Sequence, residues 1–214
     1  MKIKKKIANV FIGIGVVCIL VALGLAIANE YENRESYRAS QGVMDELMAQ
    51  VGKPGDDIDG ADSDSDAGMD DFAGADGIFG EPEEMAVITI DGNDYIGYIG
   101  LDALDVQFPV MSDWNDSKLR IAPCRYSGSL GTNDLVIAGH NYRNGFRQLK
   151  QLKVGDYLYF MTATGVIHRF QVGALEVIDA TGIEEMVNSQ WDLSLYTCTY
   201  EGTMRYTVRC MEVQ

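Results

Sequence analysis

Hydrophobic and polar positions divide the chain into unlike stretches. Residues 7–28 are apolar almost throughout, carry no charge, and include one strongly polar side chain, Asn9. Residues 52–84 are the reverse: Gly, Asp, Ser and Ala with very few large apolar side chains. From residue 86 onward, apolar and polar positions alternate in short runs, the period-two pattern of half-buried strands. Strands are predicted at 86–91, 95–99, 106–111, 135–140, 157–162, 168–179, 193–199 and 205–213. Asp91-Gly92-Asn93, Gly128, Gly131-Thr132-Asn133-Asp134, Gly155-Asp156 and Gly202 supply turns between them. Short helices fit at 146–152 and 182–188. Several short strands at this spacing predict a mainly β fold, a closed barrel or a sandwich, in a segment large enough for one core.

The apolar run at 7–28 predicts an N-terminal transmembrane helix, since a bilayer core about 30 Å thick needs roughly 20 apolar residues as a helix. Lys2, Lys4, Lys5 and Lys6 precede it and Glu30, Glu32 and Glu35 follow it, which orients the N-terminus to the cytoplasm and the rest outside. Ala26-Ile27-Ala28 resembles a signal-peptidase site, but a cleavable signal has an apolar region of only ~7–15 residues. The longer run reads as an uncleaved anchor. Four segments result: a basic tail and anchor (1–28), a juxtamembrane helical stalk (29–51), an acidic linker (52–85) and a compact domain (86–214).

Charge sharpens this division. Of the formal net charge of −15, residues 51–85 contribute 12 acidic groups against Lys53 alone. Residues 86–214 carry 15 acidic and 10 basic groups, so the compact domain is close to ordinary and offers no basic footprint for nucleic acid. The acidic stretch cannot bury enough surface to offset its ordering entropy and is expected to be a disordered spacer. Asp62-Ser63-Asp64-Ser65-Asp66 begins like a calcium loop, but Ala67 and Ala73 stand where that loop needs Gly and Glu. Cys18 lies in the apolar run; Cys124, Cys198 and Cys210 lie beyond it, an odd number that leaves at least one thiol unpaired or bridging molecules. Without a C-x-x-C or a Cys/His cluster, neither a metal nor a cofactor is expected.

Candidate chemistry centres on His140, Cys198 and Arg205. His140 ends an apolar strand and leads into the polar turn Asn141-Tyr142-Arg143-Asn144-Gly145; such strand ends on a rigid scaffold are where catalytic groups tend to sit. His168 opens a strand and has no evident partner. Cys198 ends another strand, and a symmetric hairpin centred between Glu201 and Gly202 puts Arg205 directly opposite it. Opposed residues have Cβ atoms roughly 4.5–5.5 Å apart, whereas Arg209 lies four residues, about 13 Å, further along the same strand face. A thiolate attacks a carbonyl carbon, an imidazole moves protons between two amines, and a guanidinium stabilises the tetrahedral oxygen.

Ser194-Leu195-Tyr196-Thr197-Cys198 resembles the T-L-x-T-C signature of sortases, and Arg205-Tyr206-Thr207-Val208-Arg209 resembles the family's R-x-x-V-x strand. Ala138-Gly139-His140-Asn141 with Phe146, Leu149, Leu152 and Gly155-Asp156 is similar to its G-H…F…L…L…G-D block, and Pro109-Val110-Met111 matches a P-V strand. The resemblance runs from about Tyr95 to Val213. It implies a closed eight-stranded β-barrel and a cysteine transpeptidase with Cys198 as nucleophile, His140 as general acid/base and Arg205 on the oxyanion. The implied substrate is an L-P-x-T-G-like sorting signal on a surface protein or pilin, cleaved after its threonine. The implied acceptor is an amine of a peptidoglycan precursor or pilin, in a Gram-positive envelope.

Some features depart from the pattern. Ser194 replaces the first threonine, and the turn from Cys198 to Arg205 is short. Asp70-Asp71-Phe72 only faintly resembles the lid plug of pilus-building members, and no second apolar span follows Val213. The subclass on this basis is class D-like or unassigned. Two alternatives remain: an anchored β-barrel binding module without catalysis, and another extracellular cysteine peptidase. The papain and caspase signatures are both absent around Cys198.

Overall fold

A computed structural model describes residues 2–51, 85–199 and 202–213. Residues 52–84 of the acidic linker, including the calcium-like run and the lid-like Asp70-Asp71-Phe72, lie outside the described residues. Helix α1 spans Lys2–Gln50, α2 Asp116–Leu119 and α3 Ile183–Val187. The strands are β1 (Ile88–Ile90), β2 (Asn93–Leu101), β3 (Val106–Met111), β4 (Cys124–Ser127), β5 (Leu135–Gly139), β6 (Tyr157–Thr162), β7 (Ile167–Asp179), β8 (Leu193–Cys198) and β9 (Met204–Glu212). Two 3-10 helices, Asp102–Leu104 and Phe146–Gln151, complete the described elements.

The strands follow one another in the order β1-β2-β3-β4-β5-β8-β9-β7-β6, and a further pairing of β2 with β6 closes the sheet. The ring therefore has eight strands, β2 to β9. β1 stands outside it as a hairpin extension, pairing only with the first residues of β2, Asn93 to Tyr95. The remainder of that edge, Gly97 to Leu101, pairs with β6. The changeover falls at a bulge between Tyr95 and Gly97. Gly97 has φ +140°, and a Cβ there would overlap the Met161 carbonyl, so only glycine lets the two strands meet.

The barrel is the fold the sequence predicts, with one exchange of parts. The first predicted strand is the appended β1, and the eighth member of the ring is β4, which the alternation did not reveal. β4 is four residues long, meets β3 through the single parallel pair Met111↔Cys124, and meets β5 across a bulge. So short a strand carries no periodic signal.

Alternate residues point into the barrel and form its core, among them Ile99, Leu101, Val110, Leu135, Ile137, Leu158, Phe160, Phe170, Val172, Leu193, Leu195 and Val208. Each such side chain contributes about 1.5–3 kcal/mol on full burial. A second cluster lies outside the barrel wall. Val43, Met44 and Leu47 of α1 pack there on Ile90, Tyr95, Tyr98, Met111, Ala122 and Cys124. The last turns of α1 thus cover an apolar face formed by β1, β2 and β3.

α1 includes the whole of the apolar run 7–28 in one helix. Among the described residues, however, no helix is long and apolar enough to cross a membrane. The part of the run whose side chains are described, residues 14–28, is exposed. The expected transmembrane helix is therefore not among the elements found, and membrane attachment returns below only as a proposal.

Candidate functional site

β5, β8 and β9 lie side by side in the barrel wall. β5 and β8 run parallel, with Gly139 beside Thr197. One step further along this register brings His140, the residue after β5, beside Cys198. β8 and β9 run antiparallel with Cys198 opposite Arg205, the register expected from a hairpin centred between Glu201 and Gly202. His140, Cys198 and Arg205 consequently stand abreast, with the thiol in the middle strand. Neighbouring strands are about 4.8 Å apart, so the backbone at Cys198 stands one strand spacing from each of the other two positions.

Side-chain alternation turns all three residues the same way. Leu193 and Leu195 point into the core, and so does Val208 on β9. Ser194, Tyr196 and Cys198 therefore face outward, together with Arg205, Thr207 and Arg209. On β5, Leu135 and Ile137 point inward while Val136 packs on the outer cluster with Ile178, Met186 and Val187, which places His140 outward as well. His140, Cys198 and Arg205 are each half-buried. Cys198 is a free thiol, as are Cys18, Cys124 and Cys210.

The glycine before His140 has a packing reason. A Cβ on Gly139 would overlap the ring of Phe146, which folds back over the strand end and meets Phe108 edge-on at 5.7 Å. The intervening loop is tied down: the Tyr142 amide donates to the His140 carbonyl at 2.8 Å, and Arg147 donates to the Asn141 carbonyl at 2.8 Å. The His140 ring lies 5.1 Å from that of Tyr142. Burial holds its imidazole below the ordinary 6.5, and the Arg120 charge lowers it further, against an opposing contribution from Asp116. Both effects favour the uncharged ring.

The two arginines of β9 have different surroundings. Arg209 is 1% exposed. It donates to Glu176 Oε2 (3.0 Å), the Met186 carbonyl (2.9 Å), Ser194 Oγ (2.8 Å) and the Glu185 carbonyl (2.7 Å). It clamps α3 to the barrel wall, and the serine that departs from the signature threonine is one of its acceptors. Arg205 is half-buried near the end of the hairpin, where it donates to the Gly202 carbonyl at 2.9 Å. Its charge opposes the rise that burial imposes on the Tyr126 and Tyr196 phenols and helps to lower the Asp179 carboxyl, whose hydrogen bonds to Thr181 act first.

The other sequence candidates fall elsewhere. Cys124 is buried under α1, where burial pushes its thiol up to about 12, and burial also raises the thiol of Cys210 in the barrel core. His168, expected to be without a partner, has one: its Nδ1 lies 2.8 Å from Glu212 Oε1 on β9, a pair made by a strand neighbour distant in sequence. No group of His, Cys, Asp and Glu able to hold a metal occurs among the described residues.

Some residues beside the site were not anticipated. Trp114, Tyr126 and Tyr196 form an aromatic chain next to Cys198, with centroids 5.4 Å and 5.5 Å apart. Trp114 is 46% exposed, and an exposed tryptophan in the polar Ser112-Asp113-Trp114-Asn115 turn is the one signal that could have marked this patch. Arg120 and Asp116 reach His140 from α2 and the turn after it, a short element with no periodic signature.

Comparison with known proteins gives this arrangement a family. The Sortase domain matches residues 99–213. No curated protein matches the chain. Similar solved structures include sortase A from Corynebacterium diphtheriae (22% identity, TM-score 0.51, covering 57% of this chain and 62% of that one). A Clostridium perfringens sortase D5 transpeptidase is 22% identical with a TM-score of 0.51, covering 62% of this chain and 84% of that one. Sortase C-1 from Streptococcus pneumoniae is 26% identical with a TM-score of 0.50, covering 56% and 67%. With the Sortase domain matched over more than half its length, on a closed eight-stranded barrel, the chain belongs to the sortase family of cysteine transpeptidases.

Proposed function

We propose that this protein cleaves an L-P-x-T-G-like sorting signal and transfers the acyl fragment to an amine, using Cys198, His140 and Arg205. One observation carries the proposal: three residues from separate motifs, with complementary chemistry, lie abreast and outward on three adjacent strands. His140 takes the Cys198 proton as Sγ attacks the threonine carbonyl carbon, and the Arg205 guanidinium stabilises the oxygen that becomes negative. The tetrahedral adduct collapses to a thioester. The C–N bond breaks, and the leaving amine takes its proton from His140. An incoming amine then attacks the thioester and gives a proton to His140, and Cys198 leaves as thiolate and takes that proton back, restoring thiol and neutral imidazole. Splitting the transfer into two steps lowers each barrier.

The substrate class rests on the fold relatives. One of them, a Clostridium perfringens sortase C, was solved with a C-terminal cell wall sorting motif. The aromatic chain Trp114-Tyr126-Tyr196 beside the thiol offers the apolar part of such a peptide a surface to lie on. The acceptor in this reading is an amine of a peptidoglycan precursor or a pilin. Residues 7–28 anchor the chain in the membrane with the barrel outside, on the strength of their apolar run and the lysines ahead of it. Residues 52–84 serve as an acidic spacer.

The test incubates the full-length chain with a library of sorting-signal peptides and an amine, and identifies the products by mass. Cleavage after threonine with amine incorporation, abolished by Cys198→Ala and by His140→Ala, is the expected result. Undiminished turnover by Cys198→Ala would overturn the assignment.

A further inference from the structure

The end of α1 reaches the catalytic wall. Met44 and Leu47, 3% and 0% exposed, sit in the outer apolar cluster, against which Leu119 and Ile121 also pack. One turn earlier, Ser40 is buried, and it lines the same small cavity as His140, Leu119, Ile121, Pro123 and Tyr142. The segment from α2 to β4 is therefore held between α1 on one side and the imidazole on the other. Its inner end is pinned by the Met111 amide, which donates to the Pro123 carbonyl at 2.9 Å. Its outer end is held by the hydrogen bonds of one short helix, the ion pair of Lys118 with Asp113, and the apolar contact with α1.

We propose that the docked end of α1, Ser40 to Leu47, positions His140 by holding the 116–123 segment against it, so that acyl transfer runs at full rate only while α1 is docked. The inference rests on His140 as the acid/base of the proposed reaction. Ser40, Met44 and Leu47 are positioning residues; none touches the reacting atoms. The groups that face His140 are Arg120 and Asp116 from the α2 segment, Tyr142 from its own loop and, by strand register, Cys198. α1 adds the Ser40 hydroxyl and β3 the Phe108 ring. When α1 lifts away, the cavity opens to water and the 116–123 segment loses its backing. Desolvation, the main cause that lowers the imidazole, is relieved. Cys124, buried in the same cluster, becomes reachable by reagent.

The experiment uses the full-length chain carrying Leu47→Asp, which puts a carboxylate into a fully buried apolar site. Leu47→Met serves as the conservative partner, and Met44→Ala as the milder variant should Leu47→Asp not fold. Three quantities are read: alkylation of Cys124, kcat and KM for a sorting-signal peptide, and the pH profile of kcat/KM. Undocking should expose Cys124 and lower kcat about tenfold to hundredfold, the loss expected when a catalytic group is misplaced by about 1 Å. KM should change little. The pH limb that belongs to His140 should move up toward the ordinary histidine value, and Leu47→Met should restore all three readings. Exposed Cys124 with unchanged kcat and pH limb overturns the inference, as does a rate that falls only in step with the folded fraction. Full activity of His140→Ala would instead remove the chemistry on which the inference stands.

Discussion

Arg209→Ala removes a guanidinium that is 1% exposed and makes four hydrogen bonds, to Glu176, Ser194 and the carbonyls of Glu185 and Met186. Breaking a buried ion pair from one side costs about 3–5 kcal/mol. The Glu176 side chain is 38% exposed, so water takes back part of that cost. The two carbonyls and the serine hydroxyl also lose a donor, and each left unsatisfied adds about 1–3 kcal/mol. A loss of about 3–5 kcal/mol is a reasonable balance, worth roughly 10–20 °C in Tm for a domain of this size. Arg205→Ala removes a half-exposed side chain bonded to turn carbonyls, and surface changes of this kind stay within about 0.5 kcal/mol. Its loss should fall on turnover instead, by about 10²–10³ in kcat, and Arg205→Lys should rescue poorly because an ammonium cannot copy the planar fork. The assay pairs thermal unfolding of both variants with kcat measured well below the lower Tm. Arg209→Ala should melt early yet turn over near the wild-type rate while folded, and Arg205→Ala should do the opposite. An Arg209→Ala protein with normal Tm and lost turnover would refute the assignment of the two arginines.

Other outcomes follow from the same structure. Among the cysteines of the barrel, iodoacetamide at mildly alkaline pH should modify Cys198 well ahead of Cys124 and Cys210, whose burial raises their thiols, as read by peptide mass mapping. Because burial and Arg120 hold the His140 imidazole below 6.5, the unfolded chain binds that proton more readily. The resulting stability is complete above about pH 6.5 and is lost as pH falls through the folded value; urea unfolding of His140→Gln should show a shallower acid decline. Gly97→Ala should lower Tm more than any exposed Gly→Ala change, since its Cβ meets the Met161 backbone where β2 and β6 close the barrel. Replacing residues 52–84 with a Gly/Ser segment of equal length should leave kcat/KM on a short peptide within about threefold if the segment only spaces; a clearly faster protein would favour a lid. The comparison keeps α1 in place, because a chain beginning at Ala86 would uncover Ile90, Tyr95 and Met111 as well.

What was legible in the sequence is what short-range chemistry dictates. Period-two alternation located most of the strands, and the turn between Cys198 and Arg205 set their register, because in a hairpin the connecting residues decide which positions face each other. The signature around Cys198 and the Gly139-His140…Phe146 block pointed to the family by resemblance, and the structure supplies a cause for one of its glycines, the Phe146 ring. What tertiary structure alone decided depends on partners far apart in the chain. The parallel pairing of β5 with β8 brings His140 beside Cys198 across more than fifty residues, and no local pattern encodes a parallel register. β4 is a strand only because β3 and β5 hold it. Arg209 and His168 look alike in sequence to any solvent-facing strand residue, yet one is locked by α3 and the other meets Glu212. The docking of α1 was hidden for a related reason: Val43, Met44 and Leu47 make an apolar stripe too brief to announce a binding face, and what makes it one is the uncovered apolar surface of β1, β2 and β3 that needs burial.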